Sequence, residues 1–368
     1  MTTPLTTQPL TTRPTPGWNP IAGPGRARSL LRFVLAAIWF TVVMAVTAGD
    51  GFNQGDFSEL INRTVLLLLL VVVYGLMGKA LDGQAKPLVA MGLGRRPGWG
   101  REWAMGAAFG WAAVVAVVVP MALAGALHVQ FWTEPRAFWL MGINLPLLAV
   151  AALAEEVAFR GYPFQRLIEV LGPTGATLLL AVVFGLEHAA NPAATPASVA
   201  MTMLAGVLLS LAYLRTRALW LPWGLHFAWN VSMGVLFGLP VSGMLKFSTV
   251  IQTRALGPHW LTGGSYGPEA SVVAGVVLAV ALIVILPVTR DYAWQYTAPV
   301  IVSGGMAVEI KPPAAHAAME AAAPPAGTTL VQIAPMPPAA TAPMAPAATA
   351  PMLTQPTDLP TPPSEQGN

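Results

Sequence analysis

Eight apolar stretches, at residues 30–48, 64–80, 103–127, 138–153, 174–190, 199–214, 220–239 and 271–288, constrain this chain more than any other feature. A segment of about 20 apolar residues crosses the hydrocarbon of a bilayer. Lipid offers no partner to a backbone N–H or C=O, so such a segment must close its own hydrogen bonds as a helix. The charge content agrees: 10% of the 368 residues are charged and 55% are apolar, against about 25% charged in a soluble domain. Too few charges remain to coat a surface in water, which excludes a soluble enzyme of this length. The predicted fold class is all-α, a polytopic membrane helix bundle of about eight transmembrane helices. The second stretch is the weakest, because its solid run is short and Lys79 sits at its end; it needs snorkelling or local thinning of the bilayer.

Proline marks the domain limits. Six of the 35 prolines fall in residues 1–24 and fifteen in residues 299–368. Thr/Pro-rich and Ala/Pro/Met-rich sequence favours extended conformers and builds no packed core. The organisation expected is a disordered N-terminal tail (1–28), an integral-membrane domain (29–290) and a disordered C-terminal tail (291–368). Basic residues set the orientation. Arg26, Arg28 and Arg32 precede the first stretch, Lys79, Lys86, Arg95, Arg96 and Arg101 follow the second, and Arg166, Arg215, Arg217 and Arg290 continue the alternation, which places both termini in the cytoplasm of a bacterial-type membrane. A rival reading takes the first stretch as a signal peptide cleaved near Val46-Thr47-Ala48, leaving seven spans. The net charge of +3 reports loop orientation and carries no argument for nucleic acid. Without cysteine there is no disulfide, thiolate metal site or Cys nucleophile.

Function is read from the residues that interrupt the apolar runs. Glu155, Glu156 and Arg160 follow directly on the fourth run. In a helix Glu156 and Arg160 share a face and can pair, whereas Glu155 points about 100° away. An ionised group at the bilayer centre costs about 2.5–3.5 kcal/mol, so three cost roughly 7–10 kcal/mol unless paired, wetted or shallow. Two other spans carry Phe184, Glu187 and His188, and His226 with Asn230 one turn later. One membrane histidine is commonly an interhelical hydrogen-bond donor; two histidines, an Asn and an unpaired Glu on three helices point to a shared polar site. A carboxylate and imidazoles can activate water and stabilise an oxyanion, and two His with one Glu also match the ligand set of catalytic zinc. Both routes lead to hydrolysis. Neither HExxH nor GxSxG occurs.

Glu155-Glu156-xxx-Arg160, Phe184-xxx-His188 and His226-xxx-Asn230, in this order on successive membrane segments, resemble the three motifs of the CPBP family of intramembrane proteases, which includes type II CAAX prenyl endopeptidases and bacteriocin-processing or immunity proteins. The segment 263–271 (GGSYGPEAS) also resembles a recurring family segment, so the motif core runs over 155–271. The resemblance implies that Glu155 activates water, that Glu156 and Arg160 support it, and that His188, His226 and Asn230 position water and stabilise the tetrahedral intermediate. It leaves open whether His188, His226 and Glu155 hold one divalent metal, zinc, or the enzyme is metal-free. The expected partners are the lipid bilayer and a membrane-embedded or lipid-anchored polypeptide substrate. Competing readings are a non-proteolytic scaffold or immunity factor using the same cavity, and a proton-coupled transporter, which lacks the repeated halves usual in that class. Depth is the geometric difficulty: His188 falls about fourteen residues into the fifth stretch, away from the level of Glu155 and His226. The motifs meet only if the fifth helix starts deep, the bundle tilts, or the fourth helix runs on to about Gly161, where Gly161 and Pro163 end or kink it. The resulting site is expected to open to the cytoplasmic half of the membrane.

Overall fold

The computed structural model describes residues 24–47 and 55–289, together with a pairing of two-residue strands, Val300–Ile301 with Ala307–Val308. The rest of both tails lies outside the described residues. In chain order the elements are α1 (Pro24–Thr47), α2 (Ser58–Asp82), α3 (Pro87–Ala90), α4 (Trp99–Leu123), β1 (Leu127–Phe131), α5 (Pro135–Arg160), α6 (Tyr162–Glu187), α7 (Pro196–Thr216), α8 (Trp220–Val231), β2 (Ile251–Ala255), α9 (His259–Thr262) and α10 (Val272–Val288). The fold is a helix bundle, as the apolar stretches predict, and every stretch contains a helix. Among the described residues five segments are long and apolar enough to cross a membrane, one of them the 56-residue Pro135–Ala190 that holds both α5 and α6. The expectation of eight spans is not matched by length: α8 has 12 residues and α10 has 17. Nor does the third stretch run to residue 127, because the helix ends at Leu123 and β1 begins there, pairing antiparallel with β2. At the N-terminal end α1 starts at Pro24, inside the region assigned to the tail; proline suits a first helical turn, where its missing N–H has no partner to lose.

Two stripes run along α2. Leu66, Leu70 and Tyr74, four residues apart, are buried, while Leu68, Val72 and Leu76 are exposed. A helix in water would place charges on the second stripe; in lipid an apolar outer face carries no penalty. The interior divides into two apolar clusters. One is built from α1, α2, α5 and α6 around Leu70, Tyr74, Phe159 and Phe184, and the other from α4, α5, α7, α8 and α10 around Val117, Leu148, Leu208 and Trp229. The seam between them is where polar groups are found.

Backbone approach between α4 and α8 is set by glycine. A Cβ on Gly106 would lie 2.2 Å from the Leu221 carbonyl oxygen, one on Gly110 2.3 Å from that of Leu225, and one on Gly224 2.1 Å from that of Trp103. Gly106 and Gly110 form the small-xxx-small pattern by which membrane helices gain contact without a hydrophobic drive. Two further breaks shape the bundle. α5 stops at Arg160, where Gly161 leaves helical geometry and Pro163 opens α6, as expected from the sequence. α6 itself breaks at Gly172, whose φ of 76° favours glycine, ahead of Pro173.

Charges sort to the two ends. At one end Asp82 pairs with Arg32 and Arg166, Arg96 with Glu102, and Arg215 donates to Thr289 and the Leu286 carbonyl. At the other end Lys246 pairs with Glu59 and Arg136 with Asp56; hydrogen bonds from Arg136 hold the Asp56 carboxyl below its usual range. Gly110→Ala is expected to force α8 off α4 and to cost about 1–3 kcal/mol, the usual range for overpacking, read as a lowered midpoint of thermal unfolding in detergent; Gly142→Ala, at an exposed position inside α5 that meets nothing within 4 Å, keeps or raises the midpoint, because Ala favours a helix interior over Gly.

Candidate active site

The depth difficulty is resolved by where helices stop. Arg160, the last residue of α5, donates from Nη2 to the Gly206 carbonyl at 3.0 Å, and Gly206 is the middle residue of α7. α5 therefore ends inside the bundle. The first limb of α6, 162–171, continues from there to the basic end, where Arg26 donates to the Val170 carbonyl. The second limb, 173–187, turns back and delivers His188 in a single 3₁₀ turn, His188–Ala190. His226 lies in the middle of α8, beside Gly224 and the α4 contact. Three chain segments thus bring their polar residues to one seam.

Glu156, Arg160 and His226 form a buried network. The Arg160 side chain is 1% exposed and that of Glu156 is 0%. Arg160 Nη1 reaches Glu156 Oε1 at 3.4 Å, and its Nε reaches Ser210 Oγ at 3.4 Å. The same Oε1 lies 2.8 Å from His226 Nδ1. A carboxylate accepting from an imidazole Nδ1–H fixes which ring nitrogen carries the proton and how the ring points. Glu156 Oε2 is buried with no hydrogen-bond partner among the described residues. Phe184 ties the network to the fifth-stretch motif: Arg160 stacks over its ring at 4.7 Å, His188 lies at 4.6 Å and His226 meets it edge-on at 6.3 Å between ring centres. His188 donates from Nδ1 to the Phe184 carbonyl at 2.8 Å, since a carbonyl can only accept. With Nδ1 donating, Nε2 is the nitrogen left for other contacts.

Glu155 stands apart from this network. Its side chain is 28% exposed, and Oε2 lies 3.7 Å from His226 Nε2. Glu155, His188, His226 and Asn230 all line one cavity of about 390 Å³, which takes a short extended segment but no folded domain. All six residues singled out from sequence are therefore at one seam, four on the cavity and two beneath it. The wall also contains carboxylates and a serine to which the sequence reading gave no role. Glu187 lies within the electrostatic reach of Glu155 and of Arg63. Glu59, Ser242 and Glu269 join the wall from other elements. Glu269 accepts from Trp229 Nε1 at 2.8 Å and from the backbone N–H and hydroxyl of Ser242. The GGSYGPEAS segment is thereby fastened to α8 one turn beyond His226, a role its spacing alone could not reveal. Gly263 allows the turn: its φ is 70°, and a Cβ there would meet the Gly267 carbonyl oxygen.

Among the described residues no group of three or more His, Asp or Glu side chains is placed to hold a metal ion. Nδ1 of each histidine is committed, His226 to Glu156 and His188 to the Phe184 carbonyl, which leaves Nε2 as the second ring nitrogen of each.

Residues 137–232 match the family model of Rce1-like type II CAAX prenyl endopeptidases. The matched segment runs through α5, α6, α7 and α8 and contains all six motif residues, in agreement with the resemblance to CPBP proteases. The chain is an integral membrane protein in which residues 137–232 are similar to the CAAX-type membrane proteases. No curated protein and no solved structure matches the chain.

Removing one member of the buried pair is expected to destabilise the fold by about 3–5 kcal/mol, because the other charge is left uncompensated. Arg160→Ala should therefore unfold at markedly lower temperature or lower denaturant in detergent. Glu155→Gln, on the cavity wall, should unfold as the wild type does.

Proposed function

We propose that this protein is an intramembrane endopeptidase in which Glu155 is the general base that activates water. The observation that carries the reading is the division of labour between adjacent carboxylates: Glu156 is consumed by Arg160 and His226, while Glu155 faces the cavity beside His226 Nε2. Glu155 takes a proton from water as the water oxygen forms a bond to the scissile carbonyl carbon. The tetrahedral intermediate then collapses, the C–N bond breaks, and the proton passes to the leaving nitrogen. His226, held between two carboxylates, can carry N–H on both nitrogens and donate from Nε2 to the developing oxyanion. Asn230, one turn along the same helix and on the cavity wall, supplies an amide donor. His188 is a proton acceptor on its cavity side and positions the water.

The substrate class is a membrane-associated or lipid-anchored polypeptide, because the cavity is enclosed by helices whose outer faces are apolar. The alternative of a non-catalytic scaffold uses the same cavity but has no need of a free carboxylate beside two imidazoles.

The purified protein is expected to cleave a membrane-tethered peptide reporter, with Glu155→Gln lowering turnover by about 10²–10⁴-fold and Asn230→Ala by about 10²–10³-fold. Full activity in Glu155→Gln overturns the assignment. Turnover is also expected to survive a strong zinc chelator; loss of activity restored by zinc would mean that a metal acts at this site.

A further inference from the structure

The cavity is not centred between the two ends of the bundle. Its floor is Glu155 and His226, near the level where Arg160 meets the middle of α7. From there its wall continues through Arg63 and Glu59 in the first turns of α2, Met44 in the last turn of α1, and Met244 and Glu269 in the segment between α8 and α10. These elements share the end where Lys246 pairs with Glu59 and Arg136 with Asp56. No residue of the α2–α4 link, of the first limb of α6 or of the α7–α8 corner lines it.

The end of the bundle that those elements occupy carries most of the basic residues among the described ones. Arg26, Arg28 and Arg32 open α1, Lys79 closes α2, Lys86, Arg95, Arg96 and Arg101 occupy the link into α4, Arg166 sits in the first limb of α6, and Arg215 and Arg217 end α7. At the cavity end the basic residues are Arg63, Arg136, Lys246 and Arg254, and Arg136 and Lys246 are paired with carboxylates. Excess Lys and Arg in short loops marks the cytoplasmic side. The asymmetry is large and consistent at every turn of the chain.

We propose that the cavity opens to the non-cytoplasmic side of the membrane, so that the segment it admits is an extended stretch of polypeptide lying outside the cell's cytoplasmic face, next to the membrane anchor of an exported protein. This reverses the expectation of a cytoplasmic opening. It rests on the peptidase reading only for what enters; the facing of the cavity follows from the placement of charge and wall. The physical reason is the alternation of the chain: α5 brings Glu155 down from the cavity end and stops halfway, and the first limb of α6, with its Asp82–Arg166 and Ser29–Glu169 contacts, closes the bundle below it.

The absence of cysteine makes the test direct. Single cysteines are introduced as Met244→Cys on the cavity wall and Ala85→Cys at the basic end, with exposed Leu245→Cys as a second reporter in case Met244→Cys disturbs the wall. A membrane-impermeant maleimide applied to intact cells is expected to label residues 244 and 245, and to label residue 85 only after permeabilisation. The reverse pattern overturns the proposal, even in a fully active enzyme. In a second arm, one reporter sequence is displayed on either side of a transmembrane anchor. Loss of cleavage when the sequence is moved to the cytoplasmic side supports the proposal; cleavage on the cytoplasmic side alone overturns it. Expected labelling in a protein that cleaves neither reporter supports the facing and counts against the peptidase reading instead.

Discussion

The interaction on which the site depends is the buried contact of Glu156 with Arg160 and His226. Two charges and an imidazole lie among Phe159, Phe184 and the α7 backbone, where an isolated charge would be costly. The cost is offset because each group answers another: Arg160 is shared among Glu156, Ser210 and the Gly206 carbonyl, and Glu156 Oε1 takes both Arg160 and His226. A buried pair of this kind contributes little net stability against an apolar alternative. Its effect is positional. It locks α5, α7 and α8 at one depth and leaves Glu155, of the two adjacent carboxylates, to face the cavity.

Around that lock the bundle is arranged to let short helices reach the interior. α8 is too short to cross a membrane by itself, yet its glycine contact with α4 and the Glu269–Trp229 bond fasten both ends of the segment carrying His226. α5 stops at mid-depth and the broken α6 covers the remaining distance. The same breaks decide the direction of access, since the first limb of α6 fills the basic end and the cavity is left to the other.

Much of this was legible in the chain. The apolar runs located every long helix, Gly161 and Pro163 marked the end of α5, and the three motif segments named the residues that meet at the seam. The i, i+4 spacing correctly separated the paired Glu156 from Glu155. What stayed hidden depended on contacts distant in sequence. The hydropathy pattern begins the fifth helix at 174, and nothing in it shows that 162–171 is a helical limb filling the basic end of the bundle. Glu59 and Arg63 read as interfacial charges at the start of a helix, and only packing of α2 against α5 brings them to the cavity wall. Glu269 reads as a turn residue until Trp229 and Ser242 are placed beside it.

The amino-acid sequence by itself determined that this is a membrane-embedded helical protein and which few polar residues lie against its apolar segments, because both follow from the cost of placing charge and unpaired backbone in lipid. The tertiary structure alone decided the depth of those residues, which nitrogen of each histidine is committed, and toward which end the cavity runs. Those properties depend on where helices break and cross, and breaks and crossings are settled by close contacts, such as Gly110 on Leu225 and Arg160 on Gly206, between residues far apart in the chain.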